Sequence, residues 1–331
     1  MHGIAIYGTL GPSCADTETL SAMFAAGMTG VRLNLSHVTL RHAADQIENL
    51  HRAAARCGKK AQLLIDMQGP ELRIGALPRP LTLNEGDRLV LGTGGIPVPA
   101  LLFPAILPGM QILLDDGKLL LEISSISDDS MGAVVLRGGS LQGRKSIAVP
   151  GLSLHPPTMT ETDRLNIALA KEYGVTGVMQ PFVRDKQDLE TVRTALHGAG
   201  AQEIRLFAKI ESREGIANLD ELIPACDEIV IARGDLGNAM PLWELPRAQK
   251  AIESRCRAAN RPFMVVTQML ASMEHSPVPT RAELSDIFNA VCDGAASVMV
   301  TGETAVGDYP VEVIRYLSKT ASEALRYLEE I

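Results

Sequence analysis

The sequence predicts an α/β fold: a closed (β/α)8 barrel with a small β-rich domain inserted after the third strand. Eight short apolar runs point to it: Ile4–Gly8, Gly30–Asn34, Ala61–Asp66, Val175–Pro181, Ile204–Ile210, Glu228–Gly234, Pro262–Gln268 and Ser297–Gly302. Most are apolar throughout rather than alternating, the pattern of parallel strands covered on both faces. Start to start, six of the intervals are 26, 31, 29, 24, 34 and 35 residues, each with room for one crossover helix. The remaining interval, between the third and fourth runs, is 114 residues. That is roughly 80 more than one unit needs. An open doubly wound sheet is the structural alternative.

The intervening segments carry helix signals in order. Asp16 can cap a helix over Thr17–Ala26, and Gly27 stands where a C-terminal glycine belongs. Thr160 can cap a helix through Tyr173, closed by Gly174. Pro310 fits the first turn of the last helix, where its missing N–H costs nothing. Residues 70–151 have a different texture, rich in Gly and Pro, with β-type pieces at Pro80–Leu83, Asp87–Leu91, Gln111–Leu114, Lys118–Ile123 and Ala133–Arg137. Asp116-Gly117 reads as a two-residue hairpin turn. The expected organisation is therefore a barrel from residues 1–69 and 152–331 and a β-rich domain from 70–151. The loop after a barrel strand opens on the C-terminal face, where active sites lie, so the inserted domain has the place of a lid.

Composition excludes several classes. With 46% apolar and 21% charged residues, the chain is neither a disordered tail, a collagen-like repeat nor a coiled coil. No stretch approaches about 18 uninterrupted apolar residues, so no membrane span is expected. The opening MHGIAIYGTL lacks a secretory pattern, and a cytoplasmic protein is expected. A net charge of −8 repels phosphate backbones, and 4% aromatics leaves little for base stacking, so nucleic acid is not an expected partner. Cys14, Cys57, Cys226, Cys256 and Cys292 are scattered without zinc spacing and read as reduced thiols packed as small apolar residues.

Ionisable and polar residues gather at the C-terminal ends of the runs. The second run ends in Arg32, Asn34, Ser36 and His37, and the third in Asp66. The fifth supplies Lys209 and Glu211, the sixth Arg233 and Asp235, the seventh Thr267 and Gln268, the eighth Thr301 and Glu303. Singly, each has a structural reading: Asp66 or Asp235 as a helix cap, Lys209 with Glu211 as a simple ion pair, Gly234 and Gly237 as turn residues. The coincidence across six strands does not, because buried strands do not carry charges at their ends for packing reasons. Glu211 and Asp235 are two hard oxygen ligands from neighbouring strands, which suits Mg²⁺ (or Mn²⁺) completed by substrate oxygens and water. Arg32 and Lys209 bring positive charge toward a phosphoryl group. Asn34, Ser36 and Asp66 make a sensible cage for a monovalent cation. Neither a P-loop nor the protein-kinase signature set occurs.

These residues sit in motifs that resemble the pyruvate kinase family almost end to end. They are TLGPSC at Thr9–Cys14, VRLNLSH at Val31–His37, DMQGPELR at Asp66–Arg73, LDDGKLLLEI at Leu114–Ile123 and KIESREG at Lys209–Gly215. IARGDLG at Ile231–Gly237, VTQMLASM at Val266–Met273, PTRAELSD at Pro279–Asp286 and GETAVGDYP at Gly302–Pro310 complete the series. The resemblance implies a barrel interrupted by a β-rich domain that closes over the nucleotide, and transfer of a phosphoryl group from phosphoenolpyruvate to ADP, giving pyruvate and ATP. It implies Arg32 as the phosphate-binding arginine. Asn34, Ser36, Asp66 and the Met67 carbonyl resemble the K⁺ ligands. Lys209 resembles the lysine that stabilises the phosphoryl group in flight, and Glu211 and Asp235 the Mg²⁺ ligands. The Ala232–Gly234 backbone would lie beside the substrate carboxylate, and Thr267 near the enolate carbon, linked to its protonation by water. Asn34, His37, Arg73 and Lys145 match nucleotide positions, and Glu71 matches the glutamate of potassium-dependent members.

The pattern is broken in places. Gln68 stands where a lysine is usual, Pro181 replaces a serine able to hydrogen-bond near the phosphate, and Ala148, Ala239 and Ala271 replace an asparagine and two acidic residues. They leave open the true donor and acceptor, hence a related enol-phosphate, another acceptor or a pyruvate-like acid, and a weakly catalytic binding or regulatory relative as a further class. Nucleotide preference, central or specialised metabolic role, and self-association through the barrel are equally open. Because the chain stops at Ile331, after the last barrel helix, the C-terminal allosteric domain of the family is expected to be absent.

Overall fold

The computed structural model describes residues 3–69, 72–115, 117–152 and 156–330. The chain divides into two compact units, residues 1–69 with 158–331 and residues 70–157. The sequence reading ends the insertion six residues earlier, at 151.

In the first unit, β1 (Ala5–Thr9), β2 (Gly30–Asn34) and β3 (Gln62–Asp66) precede the insertion. The insertion carries β4 (Leu81–Leu83), β5 (Arg88–Gly92), β6 (Gln111–Leu114), β7 (Leu119–Ile126), β8 (Ser130–Arg137), β9 (Gly139–Leu141) and β10 (Ile147–Ala148). The first unit resumes with β11 (Gly177–Gln180), β12 (Arg205–Ile210), β13 (Glu228–Ala232), β14 (Phe263–Val266) and β15 (Ser297–Met299). Its strands close into a barrel in the order β1-β15-β14-β13-β12-β11-β3-β2, every neighbouring pair parallel. The (β/α)8 expectation holds.

The barrel is filled, not hollow. Tyr7, Leu64, Met179, Phe207, Val230, Ala232, Met264, Val266 and Met299 form its buried interior. Their strand neighbours, such as Leu63, Val178, Leu206, Ile229, Val265 and Val298, belong to the core beneath the helices. That two-sided burial is why the runs read as continuously apolar. At Gly177 a Cβ would lie 2.5 Å from the Phe207 ring and 2.6 Å from Leu64, so the phenyl group occupies the space a side chain would need.

Local chemistry sets the helices. α1 (Thr17–Ala25) starts where the Asp16 carboxylate accepts from the Thr19 N–H at 2.8 Å. α2 (Ala44–Arg56) buries Ile47, Leu50, Ala53 and Ala54. α3 (Glu161–Leu169) opens with a capping box between Thr160 and Asp163. It ends four residues before Tyr173, and Gly174 then takes a left-handed φ of +69°. α4 (Lys186–Gly198), α5 (Arg213–Ala217), α6 (Leu219–Ala225), α7 (Arg233–Asn238), α8 (Leu245–Ala258), α9 (Arg281–Cys292), α10 (Gly302–Ala305) and α11 (Pro310–Glu330) follow. Four apolar runs end earlier as strands than their composition suggests, among them the eighth, whose Gly302 enters α10. Residues 233–234 enter α7, Phe182 has φ +51°, and Thr267 and Gln268 have φ +82° and +56°.

Residues 70–157 have their own core, including Leu91, Ile112, Leu121, Met131 and Val135. A five-stranded antiparallel sheet runs β10-β6-β7-β8-β5, beside a two-stranded pair β4-β9. The short strands β9 and β10 escape a sequence reading because they lack an apolar run. Asp116, half of the expected hairpin turn, lies outside the described residues. All five cysteines are free thiols, three of them buried. Among the described residues, no helix is long and apolar enough to cross a membrane.

Candidate active site

The ends of β2, β3 and β12 converge on one buried carboxylate. Asn34 and Asp66 are register partners at the ends of β2 and β3. Asp66 is almost wholly buried, and its Oδ2 accepts from Arg32 Nε and Nη2, both at 2.7 Å, and from Lys209 Nζ at 3.2 Å. Lys209 meets a second carboxylate on its other side, Glu211 Oε1 at 2.9 Å. Glu211 Oε2 accepts from the Phe182 N–H at 2.7 Å, which the left-handed turn after β11 delivers. Lys209 is thus a cation held between two buried acids. Its side chain is 12% exposed.

Burial and charge act in opposite directions across this cluster. Burial alone would push Asp66 up, but Lys209 and Arg32 hold its carboxyl below the usual range. Burial lowers a lysine, yet Asp66 and Glu211 outweigh it and keep Lys209 above its ordinary value, so it stays charged. Glu211 is pushed up to about 7 by burial and by the charge of Asp235, against the pull of Lys209. A carboxylate whose proton affinity a neighbouring carboxylate raises is relieved by a cation between the two. Among the described residues, no cluster of three or more His, Cys, Asp or Glu exists to hold a metal unaided. Glu211 and Asp235 could hold a divalent ion only with further ligands from substrate and water.

A second acceptor stands unused. Asp66 Oδ1 is buried and has no hydrogen-bond partner among the described residues. Beside it, Asn34 Oδ1 accepts from the Ser36 N–H at 3.1 Å, and Met67 follows directly on the chain, buried. These are the residues the sequence reading assigns to a monovalent cation. The sequence reading counts Glu71 with them, which lies outside the described residues.

At the end of β13, Ala232 is the last strand residue, and Gly234 and Asp235 form the first turn of α7. Gly234 is seated under Thr267: a Cβ there would come 3.0 Å from Thr267 Cγ2. Arg233 donates to the Thr267 carbonyl from Nε at 3.1 Å and Nη2 at 2.7 Å, and through Nη1 to Asp286 at 2.9 and 2.7 Å. Glu303, buried, accepts from the Thr301 N–H at 2.6 Å and the Leu270 N–H at 3.3 Å, so it braces the loop after β14.

Of the remaining candidates, His37 is exposed on the loop after β2. Arg73 and Lys145 belong to the second unit. There Arg73 Nη1 donates to the Arg144 carbonyl at 2.9 Å, and Lys145 pairs with Asp115 at 2.9 Å. Burial pushes the Asp115 carboxyl up, but Lys145 and Lys118 hold it below the usual range. At the departures from the family pattern, the Gln68 and Gly69 N–H groups donate to Asp163 at 2.9 and 3.1 Å. A Cβ on Gly69 would meet Pro181 Cγ at 2.4 Å.

Sequence reasoning missed three contributors: the Phe182 N–H on Glu211, Asp163 under the loop after β3, and Asp286 behind Arg233. None has a local signal, because each acts across 29 to 95 residues of chain.

Comparison with known proteins identifies the family. Residues 1–314 match the family described as pyruvate kinase, barrel domain. The chain is 37% identical over 333 residues to a pyruvate kinase of Geobacillus stearothermophilus, covering 97% of this chain and 57% of that protein. It is 37% identical to one from Aeropyrum pernix, covering 98% and 71%, and 34% identical to one from Leishmania mexicana, covering 97% and 67%. The chain thus spans little more than half the length of some of the relatives it matches. By its barrel, by the acid–lysine–acid cluster at the strand ends and by these matches, the chain belongs to the pyruvate kinase family.

Proposed function

We propose that the chain transfers a phosphoryl group between phosphoenolpyruvate and ADP, giving pyruvate and ATP. The observation that carries this reading is Lys209, a lysine kept charged between Asp66 and Glu211 at the C-terminal mouth of the barrel. A fixed cation in a largely dry site is what a migrating phosphoryl group needs, since transfer is mostly positioning and charge stabilisation.

Arg32 and Lys209 bind the phosphoryl oxygens. The bond from phosphorus to the enol oxygen breaks as a bond to a terminal oxygen of ADP forms, and the electron pair stays on the enol oxygen. The resulting enolate takes a proton at carbon, through water beside Thr267. The Ala232–Gly234 backbone orients the substrate carboxylate. Glu211 and Asp235 would hold Mg²⁺ (or Mn²⁺), which when bound supplies Lewis-acid neutralisation of the reacting oxygens. Asn34, Ser36, Asp66 and the Met67 carbonyl would hold K⁺. Asn34, His37, Arg73 and Lys145 serve the nucleotide.

A coupled assay with phosphoenolpyruvate, ADP and Mg²⁺ tests the reading directly. Pyruvate should form only when ADP and the divalent ion are both present. The rate should fall strongly when K⁺ is exchanged for a large organic cation at constant ionic strength. No ADP-dependent pyruvate removes the proposed reaction, and equal rates in both salts remove the monovalent site.

A further inference from the structure

We infer that Arg233 is a positioning residue: braced on Asp286, its guanidinium grips the Thr267 carbonyl and holds the Thr267 side chain over Gly234, where protonation of the enolate is served. The inference rests on the reaction proposed above and adds to it a residue that need touch neither substrate nor metal.

Thr267 is β-branched, and with φ +82° it sits in a region that such residues avoid; Gln268 follows at φ +56°. Backbone of this kind is strained and persists only where surrounding contacts over-determine it. Those contacts are visible. Two N–H groups of one guanidinium converge on the Thr267 carbonyl, at 3.1 and 2.7 Å, and charge-assisted bonds of this sort are the strong ones. The third nitrogen lies on both Asp286 oxygens, and Nη2 also reaches Met269 Sδ at 3.0 Å. Arg233 is only 12% exposed, so it has little water to turn to instead.

The far end of the same loop is pinned as well. Leu270 donates its N–H to Glu303, and the Ser272 N–H and Oγ donate to Glu283 at 2.8 and 2.6 Å. Between these anchors Thr267 rests against Gly234, where a Cβ would come 3.0 Å from its Cγ2. Without Arg233, the apolar run of β14 would carry Thr267 on in the extended conformation that its branched side chain prefers. The hydroxyl would then leave the mouth of the site. Arg233 also opens the turn that holds Gly234 and Asp235, so one side chain ties the carboxylate-binding turn to the proton-delivery residue.

The test uses the full chain with Arg233→Ala, Arg233→Lys and Asp286→Asn. Arg233→Ala should lower kcat roughly 10- to 100-fold, the scale of a displacement near 1 Å, with KM for phosphoenolpyruvate within about threefold. Deuterium exchange from solvent into the pyruvate methyl group should fall in parallel. Tens of millimolar guanidinium should restore part of the lost kcat in Arg233→Ala and leave the parent unaffected, which a merely structural arginine would not produce. Arg233→Lys should fall between Arg233→Ala and the parent. If Arg233→Ala does not fold, Asp286→Asn keeps the arginine and should still cost kcat severalfold. Amide hydrogen exchange supplies a readout independent of turnover: residues 267–272 should exchange faster in Arg233→Ala while β3 is unchanged. Parental kcat in both Arg233→Ala and Asp286→Asn, or unchanged exchange at 267–272, overturns the inference. A parent inactive with phosphoenolpyruvate and ADP, but with the loop released by Arg233→Ala, overturns the proposed reaction and leaves the clamp standing.

Discussion

Replacing Lys209 by Met deletes a charge while keeping the apolar stem, and the structure gives the consequence two separable parts. The first is stability. The ammonium lies 2.9 Å from Glu211 and 3.2 Å from Asp66, both buried. Removing one partner of a buried pair costs about 3–5 kcal/mol, because the other charge is stranded. Asp66 keeps Arg32, so the burden falls on Glu211. Its folded value, already pushed up to about 7, must rise further without the lysine. A carboxyl raised on folding gives stability that is full below its unfolded value, near pH 4.5, and is lost as pH rises through the folded value. Deleting Lys209 extends that window upward. The melting temperature of Lys209→Met should therefore trail the parent slightly at pH 6 and clearly at pH 8.

The second part is rate. An interaction that strengthens as charge builds in transit is worth about 10²–10³ in turnover when removed. At a temperature where both proteins are folded, the coupled assay should show that loss in kcat, with KM for phosphoenolpyruvate changed far less. Pyruvate methyl exchange should suffer less than transfer, since Thr267 is untouched. A variant with intact kcat and a raised KM would make Lys209 a binding group only. Equal melting gaps at pH 6 and pH 8 would refute the ion-pair reasoning.

Other perturbations read different parts of the site. Mg²⁺ should raise the melting temperature more at pH 8 than at pH 5.5, because a protonated Glu211 is a poor ligand; equal shifts would remove Glu211 from the metal set. Gly234→Ala places a methyl 3.0 Å from Thr267 Cγ2 and should cost about 1–3 kcal/mol in overpacking, with kcat reduced; parental kinetics would show the seat to be slack. Asp188 accepts from Thr158 at 2.6 Å and from Arg184 at 2.7 and 2.9 Å. Burial would push its carboxyl up, but Arg184 and Thr158 hold it below the usual range. Its contribution is present above the unfolded value, near pH 3.8, and is lost as pH falls through the lower folded one, so the parent should lose stability on acidification below that value. In Asp188→Ala, about 3–5 kcal/mol of neutral-pH stability should be missing and that part of the acid dependence gone.

The barrel was legible because its strands are buried on both faces, and periodicity then reduces to counting apolar runs. Strand ends were less so. Thr267 and Gln268 look like the tail of a strand, since threonine favours extended backbone, and an arginine at the start of α7 holds them aside. The candidate residues at the run ends were legible as a coincidence of charges. Asp66, Lys209, Glu211 and Arg32 do meet. What the sequence could not convey is which charge neutralises which, because Lys209 reaches Asp66 across 143 residues. Asp286 stands in its motif with no partner visible in the sequence, for the same reason: Arg233 lies 53 residues away.

The seam between the first and last barrel strands carries a consequence for how the chain comes into being. β1 pairs with β15, and the Thr9 N–H donates to Thr304 Oγ1 at 2.8 Å while that hydroxyl donates back to the Thr9 carbonyl at 3.0 Å. These groups are 295 residues apart. At ribosomal rates of about 5–20 residues per second, β1 waits on the order of 15–60 seconds with one edge unpaired. Its burial pattern offers that edge no charge to discourage a neighbour. Ring closure therefore waits on β15 and on Thr304, whose hydroxyl ties the two ends of the barrel together.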